Sequence, residues 1–202
     1  MREALGVSAL TLKVVSLYRK PSALRDWLTG YKGRPEHGEP RDPQCISYVE
    51  AILGRLVIEH GEDLELEAGG VDCIVVVPST DRPSPHPLEQ VLIDLELSQP
   101  IRSLLRRGPG PLDFRLPSRD AYELADHQSE SLRVLLIDDV YTTGARLNSA
   151  AYALGSAGHT VASALVIARR VNPDYSEAAL AMWERQAALR FDWRTSPIIT
   201  SR

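Results

Sequence analysis

Residues 134 to 158 read VLLIDDVYTTGARLNSAAYALGSAG: an aliphatic run, two adjacent carboxylates, Thr-Thr-Gly, then a helical stretch closed by glycine. A short unbroken aliphatic run signals a strand buried on both faces, and such strands belong in a parallel sheet covered by helices. Two neighbouring carboxylates at a strand end repel each other, so a fold keeps them where something binds them.

Other segments fit the same architecture. VDCIVVVPST (71–80) and TVASALVIARR (160–170) are further β-branched, buried-type strands, and LTLKVVSL (10–17) alternates like a strand. Between them lie helical stretches. SALRDWLTG opens on Pro21 and Ser22 and stops at Gly30; CISYVEAILGRLVIEHG carries apolar residues at helical spacing and ends on Gly61; LEQVLIDLEL reads as a helix. Arg146 to Ala157 form a helix capped by Gly158, and SEAALAMWERQAALRF, opened by Ser176 with Glu177 in its first turn, forms a last one. YKGRPEHGEPRDPQ and DRPSPHP are loops, and RRGPGPLDFRLPSRDAYEL is a loop with room for a hairpin. Strands alternating with helices predict one α/β domain over 1–202.

Composition narrows the class. The chain has 202 residues, 44% hydrophobic and 25% charged, with net charge -4, which is no electrostatic footprint for nucleic acid. No apolar run reaches a membrane-spanning length, and Cys45 and Cys73 have neither CxxC nor zinc-site spacing. The expectation is a soluble, reduced, cytoplasmic protein that contacts neither nucleic acid nor membrane.

The chemistry of the opening stretch follows from its order. Ligands of open α/β sheets bind at the carboxyl ends of strands. There Asp138 and Asp139 offer acceptors for hydroxyls. The loop Val140 to Ala145 then leads into a helix N-terminus, where unpaired N–H groups and the dipole favour a phosphate. Gly144 lets the anion come close, and Thr142 and Thr143 add hydroxyl donors. A ribose 5-phosphate presents the complementary pair of groups.

The hydrophobic run, acidic pair and TTG resemble the phosphoribosyl diphosphate (PRPP) motif of type I phosphoribosyltransferases. The resemblance implies that Asp138 and Asp139 hold the ribose hydroxyls as the catalytic pair, and that Val140, Tyr141, Thr142, Thr143, Gly144, Ala145 and Arg146 surround the 5-phosphate. LYRKPSALRDWLTGYKGR, VPST and RDAYEL make the chain look like the competence protein F branch. It departs from that branch in having no four-cysteine zinc module, in carrying RPSPHPLEQ after the first core strand, and in an extra C-terminal helix over about 176–191. At Arg146 many relatives carry a small or hydroxylated residue; the arginine either contacts a phosphate or points outward. Thr142 stands where 6-oxopurine enzymes carry an acid, which argues against those acceptors.

The resemblance also implies a diphosphate loop at Ser79, Thr80, Asp81 and Arg82, with Mg2+ arriving on the substrate rather than on direct protein ligands. The plain reading of the same residues is a strand-ending proline turn. Lys32 and Arg34 lie in a loop suited either to solvent or to a departing diphosphate. His86 is either structural or an acceptor contact, and Arg169 and Arg170 end a strand on the motif's sheet edge. A hood is expected from 1–30 and 105–125, and the C-terminal helix with Trp183, Phe191 and Trp193 is expected to pack on the core or pair two copies as a homodimer. The implied activity is transfer of ribose 5-phosphate from PRPP to a nitrogen nucleophile of unnamed identity. The alternatives are a PRPP sensor without turnover and an accessory protein of DNA uptake.

Overall fold

The computed structural model describes residues 10–79, 85–112, 116–126 and 130–194. In chain order its elements are β1 (Leu12–Tyr18), α1 (Ala23–Gly30), α2 (Pro43–Glu67), β2 (Cys73–Val76), α3 (Pro87–Asp94), β3 (Leu105–Arg107), β4 (Tyr122–Leu124), β5 (Arg133–Tyr141), α4 (Ala145–Ser156), β6 (Thr160–Arg170) and α5 (Glu177–Ala187). Strands β1, β6, β5 and β2, in that spatial order, form a wholly parallel sheet. After α3 the chain runs along the outer side of β2, where Ile101 bridges to Ile74 and covers that edge.

The alternation of side chains along each strand sorts them into two cores. Cys73 and Val75 of β2, Val134 and Leu136 of β5, and Ala164 and Val166 of β6 face one side, where Leu147, Ala150, Ala151 and Leu154 of α4 cover them. Ile74, Val76, Ile137, Leu165 and Ile167 face the other side, under Leu28 of α1, Val49, Leu53 and Leu56 of α2, and Leu88 and Leu92 of α3. Each fully buried aliphatic such as Leu136 or Leu154 contributes roughly 1.5–3 kcal/mol.

The sequence expectations fare unevenly in detail. The strand expected at 160–170 is found at those residues, and Ser22 and Ser176 cap α1 and α5 by accepting from Arg25 N and Ala179 N. Gly61 does not end α2, which continues to Glu67. A glycine weakens a helix without stopping it unless the backbone turns left-handed, and Gly61 has no positive φ. The hairpin is real: β3 and β4 pair antiparallel, pinned by Arg106 on Glu123 at 2.9 Å. Within the stretch assigned to a hood, Leu12–Tyr18 is instead a strand of the central sheet. Its LKVVSLY run is buried on both faces and pairs with β6, which an overhanging segment does not offer. Residues 1–9 lie outside the described part.

Candidate functional site

Because Asp138 and Asp139 are consecutive on β5, their side chains leave the sheet on opposite faces. Each meets a cation from the layer on its own side. Both are buried, at 2% and 0% exposure. On the α1 side, Tyr31 donates its hydroxyl to Asp139 Oδ2 at 2.9 Å and Lys32 Nζ ion-pairs with the same oxygen. On the α4 side, Arg146 Nη2 lies 3.5 Å from Asp138 Oδ1, which also accepts the backbone N–H of Asp139 at 2.9 Å. Arg146 Nη2 donates to the Pro78 carbonyl at 3.2 Å, and the Tyr122 hydroxyl donates to that carbonyl at 3.3 Å. The guanidinium therefore ties the end of β5 to the end of β2. It does not point outward.

The two carboxyls are driven apart electrostatically. Burial raises the pKa of Asp138 to about 7; Arg146 works against the rise and the neighbouring Asp139 adds to it. Burial also opposes the charge on Asp139, but Lys32, His86 and Arg146 outweigh it and hold that carboxyl well below the usual range. Asp138 in turn holds Arg146 firmly protonated, and burial, followed by the Asp139 charge, pushes the Tyr31 hydroxyl up. One member of the pair is thus an anion near neutral pH while the other sits close to its titration point. Asp139 Oδ1 and Arg146 Nε are buried with no hydrogen-bond partner among the described residues. Such orphaned polar atoms in a cleft mark a place where a polar ligand completes the bonding.

The loop after β5 supplies the second half. Gly144 adopts φ +82 at the N-cap of α4, and no side chain bonds to the helix N-terminus from that position. Thr143 Oγ1 accepts from Ala145 N at a loose 3.4 Å, so the first-turn N–H groups remain available to an anion. Asn148 and Ser149 fix the first turn from inside through their bonds to Gly144 O and Ala145 O. Lys32, both aspartates and residues 140 to 147 line one cavity of about 280 Å³. A Cβ on Gly144 would come within 2.5 Å of the Tyr141 hydroxyl. With the cost of a left-handed alanine, Gly144→Ala should lose about 1–2 kcal/mol. That is roughly 2–8 °C in a thermal melt, with the Tyr141 ring displaced from the cavity wall.

The remaining expected residues are placed as follows. His86 is 2% exposed and caps α3, its Nδ1 accepting from Leu88 N at 3.0 Å. Arg169 lays its guanidinium 5.5 Å from the centroid of the Tyr141 ring. Ser79 follows β2 and engages its surroundings, while Thr80, Asp81 and Arg82 lie outside the described residues. Tyr31 and Tyr122 were missed by sequence reasoning. Tyr31 is 108 positions from the carboxylate it contacts, and a tyrosine in a Gly-rich loop gives no spacing signal. Among the described residues no cluster of three His, Cys, Asp or Glu could hold a metal, Cys45 and Cys73 are free thiols, and no helix is long and apolar enough to cross a membrane.

No protein-family model and no curated protein matches this sequence. Several solved structures resemble the fold, two of them as follows. Orotate phosphoribosyltransferase from Aeropyrum pernix is 21% identical over 71% of this chain and 72% of its own, with a TM-score of 0.39. Adenine phosphoribosyltransferase from Leishmania tarentolae is 16% identical over 76% of this chain and 91% of its own, with a TM-score of 0.40. Likeness at this level carries no argument about activity, which rests on the site itself.

Proposed function

We propose that the chain binds PRPP and transfers its ribose 5-phosphate to a nitrogen nucleophile, releasing diphosphate. One observation carries this reading: two buried carboxyls and a helix N-terminus whose N-cap residue, Gly144, carries no side chain open on one cavity at the carboxyl edge of a parallel sheet. Asp139 is charged and accepts from a ribose hydroxyl; Asp138 accepts from the adjacent one. The N–H groups at Gly144 and Ala145, with Thr142 and Thr143, receive the 5-phosphate. As the C1–O bond breaks, positive charge grows on the sugar, and fixed carboxylates below it stabilise that charge without reorganising. Lys32 and Arg146 balance the pair in the free protein and turn to phosphate oxygens when hydroxyls replace them.

Mg2+ fits as a companion of the substrate. The described residues gather no full ligand set, but the unpartnered Asp139 Oδ1 suits a water of its hydration shell. Bound to diphosphate, the ion supplies neutralisation of the leaving group. Ser79 and the loop after it are the proposed diphosphate contacts.

A second reading has its own support. Both carboxylates already meet cations, Asp138 through Arg146 and Asp139 through Lys32, so sugar binding must displace two ion pairs. Cations kept beside the carboxylates also oppose the positive charge that must grow on the sugar during transfer, which favours a sensor that binds PRPP without turnover. A thermal-unfolding titration tests the shared step. PRPP with Mg2+ at ten times its dissociation constant should stabilise the protein by about 1.4 kcal/mol, roughly 3–6 °C. Asp138→Asn/Asp139→Asn should show no shift. An unshifted wild type at millimolar PRPP rejects both readings, and diphosphate release with candidate acceptors separates enzyme from sensor.

A further inference from the structure

A cavity of about 320 Å³ lies between the sheet, α2 and the end of α3 with the chain that follows it. Ile74 of β2, Ile137 of β5 and Leu165 of β6 form its floor. Ile137 and Asp139 leave β5 on the same face, yet this cavity shares no lining residue with the carboxylate cavity. Cores normally close such a void, because unfilled apolar space forfeits dispersion contacts. Two wall residues keep it open at a cost to the fold. Gly61 sits within α2 with no positive φ, where alanine would be the better helix former. A Cβ there would meet only Val57 Cγ1, at an ordinary 3.5 Å, so close packing does not demand the glycine. Just past α3, Glu96 turns left-handed at φ 50, the one non-glycine residue to do so among the described residues. That conformation is costly for any residue with a Cβ, and here it brings Leu97, Ser98 and Gln99 along the cavity.

The lining decides the occupant. Among the described residues that form it there is no cation and no aromatic ring, and most of the wall is Leu, Ile and Val. An anion would find no counter-charge there, and a planar base nothing to stack on. The charged members are Glu62 and Glu96, both exposed and therefore at the rim. Neither makes an ion pair among the described residues. Val57 is 38% exposed, so the well opens to solvent on the same side of α2. An aliphatic well with two carboxylates at its mouth complements a hydrocarbon chain that carries a cationic head.

We propose that this cavity is a binding site for a small aliphatic amine. The hydrocarbon chain lies on Ile74, Ile137 and Leu165, and the ammonium stays at the rim with Glu62 and Glu96. The site stands apart from the phosphoribosyl reading and does not depend on it. Because the two cavities have separate linings, the amine and a ligand of the Asp138–Asp139 site can be bound together.

Calorimetric titration of the full chain with octylammonium, hexylammonium and 1-octanol tests the assignment. One octylammonium should bind per chain, and roughly tenfold more tightly than hexylammonium, since each buried methylene strengthens binding about fourfold. It should bind about threefold more tightly than octanol, the modest gain that exposed rim charges give. Glu62→Gln/Glu96→Gln should erase the preference for amine over alcohol and keep the dependence on chain length. Gly61→Leu fills the well and should abolish binding without lowering Tm, whereas Gly61→Ala should raise Tm by about 2–4 °C and still bind. No octylammonium binding, affinity independent of chain length, or equal affinity for amine and alcohol would each overturn the proposal. So would binding that survives in a folded Gly61→Leu. A Gly61→Leu chain that failed to fold would leave the decision to the chain-length and rim-charge comparisons, which need only the wild type and a surface variant. The thermal shift with PRPP should be the same in every variant; its absence from the wild type rejects the reading of the Asp138–Asp139 site and leaves the amine result standing.

Discussion

Raising the pH from 5 to 8 lowers the unfolding free energy of the wild-type protein, and Asp138→Asn removes about 2–3 kcal/mol of that loss. The sign follows from burial. The folded-state pKa of Asp138, about 7, lies above its ordinary 3.8, so between those values the folded protein keeps a proton that the unfolded chain releases. Stability from this group is full below about pH 4 and drains away as the pH climbs to about 7. Asp139 behaves in the opposite sense: its depressed pKa gives stability present above the ordinary carboxylate value and lost only in strong acid, outside this window. His159, lowered by burial, destabilises the fold on the acid side but does so equally in both proteins. The groups facing Asp138 are Arg146, Asp139 and Lys32, and the substitution leaves all three. Urea unfolding at half-unit pH intervals reads the difference between the two slopes. Parallel slopes would mean that Arg146 keeps Asp138 ionised throughout.

How much of this was legible beforehand depends on the range of each interaction. Strands β5 and β6 and helix α4 were readable nearly to the residue, because burial on both faces and helical spacing are local patterns. The boundary of α2 was not, since a glycine ends a helix only when its own φ turns positive, and Gly61 gives no local sign of which way it goes. The acidic pair was visible as an anomaly, and the structure supplies its explanation: consecutive positions on a strand face opposite layers, so each carboxylate has its own cation. Which cation was not legible. Arg146 was balanced between a phosphate and solvent, and the deciding partner, the Pro78 carbonyl, is 68 positions away. Lys32 looked like a loop residue because nothing local marks the end of α1 as lying beside β5. Strand order brings those segments together, and strand order is a property of the whole chain.

Lys32→Met should be the costliest substitution at the site, by about 3–5 kcal/mol at pH 8, the usual penalty for removing one partner of a buried ion pair. The methionine keeps the length of the side chain, so the loss is of charge and not of packing. Asp139 would then be buried with only the Tyr31 hydroxyl and the more distant His86 and Arg146 to hold its charge, beside a second carboxyl. Its depressed pKa must rise, and the two aspartates would compete for protons as the pH falls. The penalty should therefore shrink from pH 8 to pH 5, where protonation of Asp139 makes the missing cation unnecessary. Adding Asp139→Asn should recover most of the stability at pH 8, because Asn needs no counter-charge and still accepts from Tyr31. A double-mutant cycle by urea unfolding at the two pH values measures this coupling. A Lys32→Met penalty independent of pH and unrelieved by Asp139→Asn would show that the Lys32 ammonium serves the fold through a partner other than Asp139. In that case the charge of Asp139 rests on Tyr31, His86 and Arg146 alone. A PRPP titration of Lys32→Met/Asp139→Asn beside Lys32→Met then shows whether ribose binding needs the anion or only an acceptor at position 139.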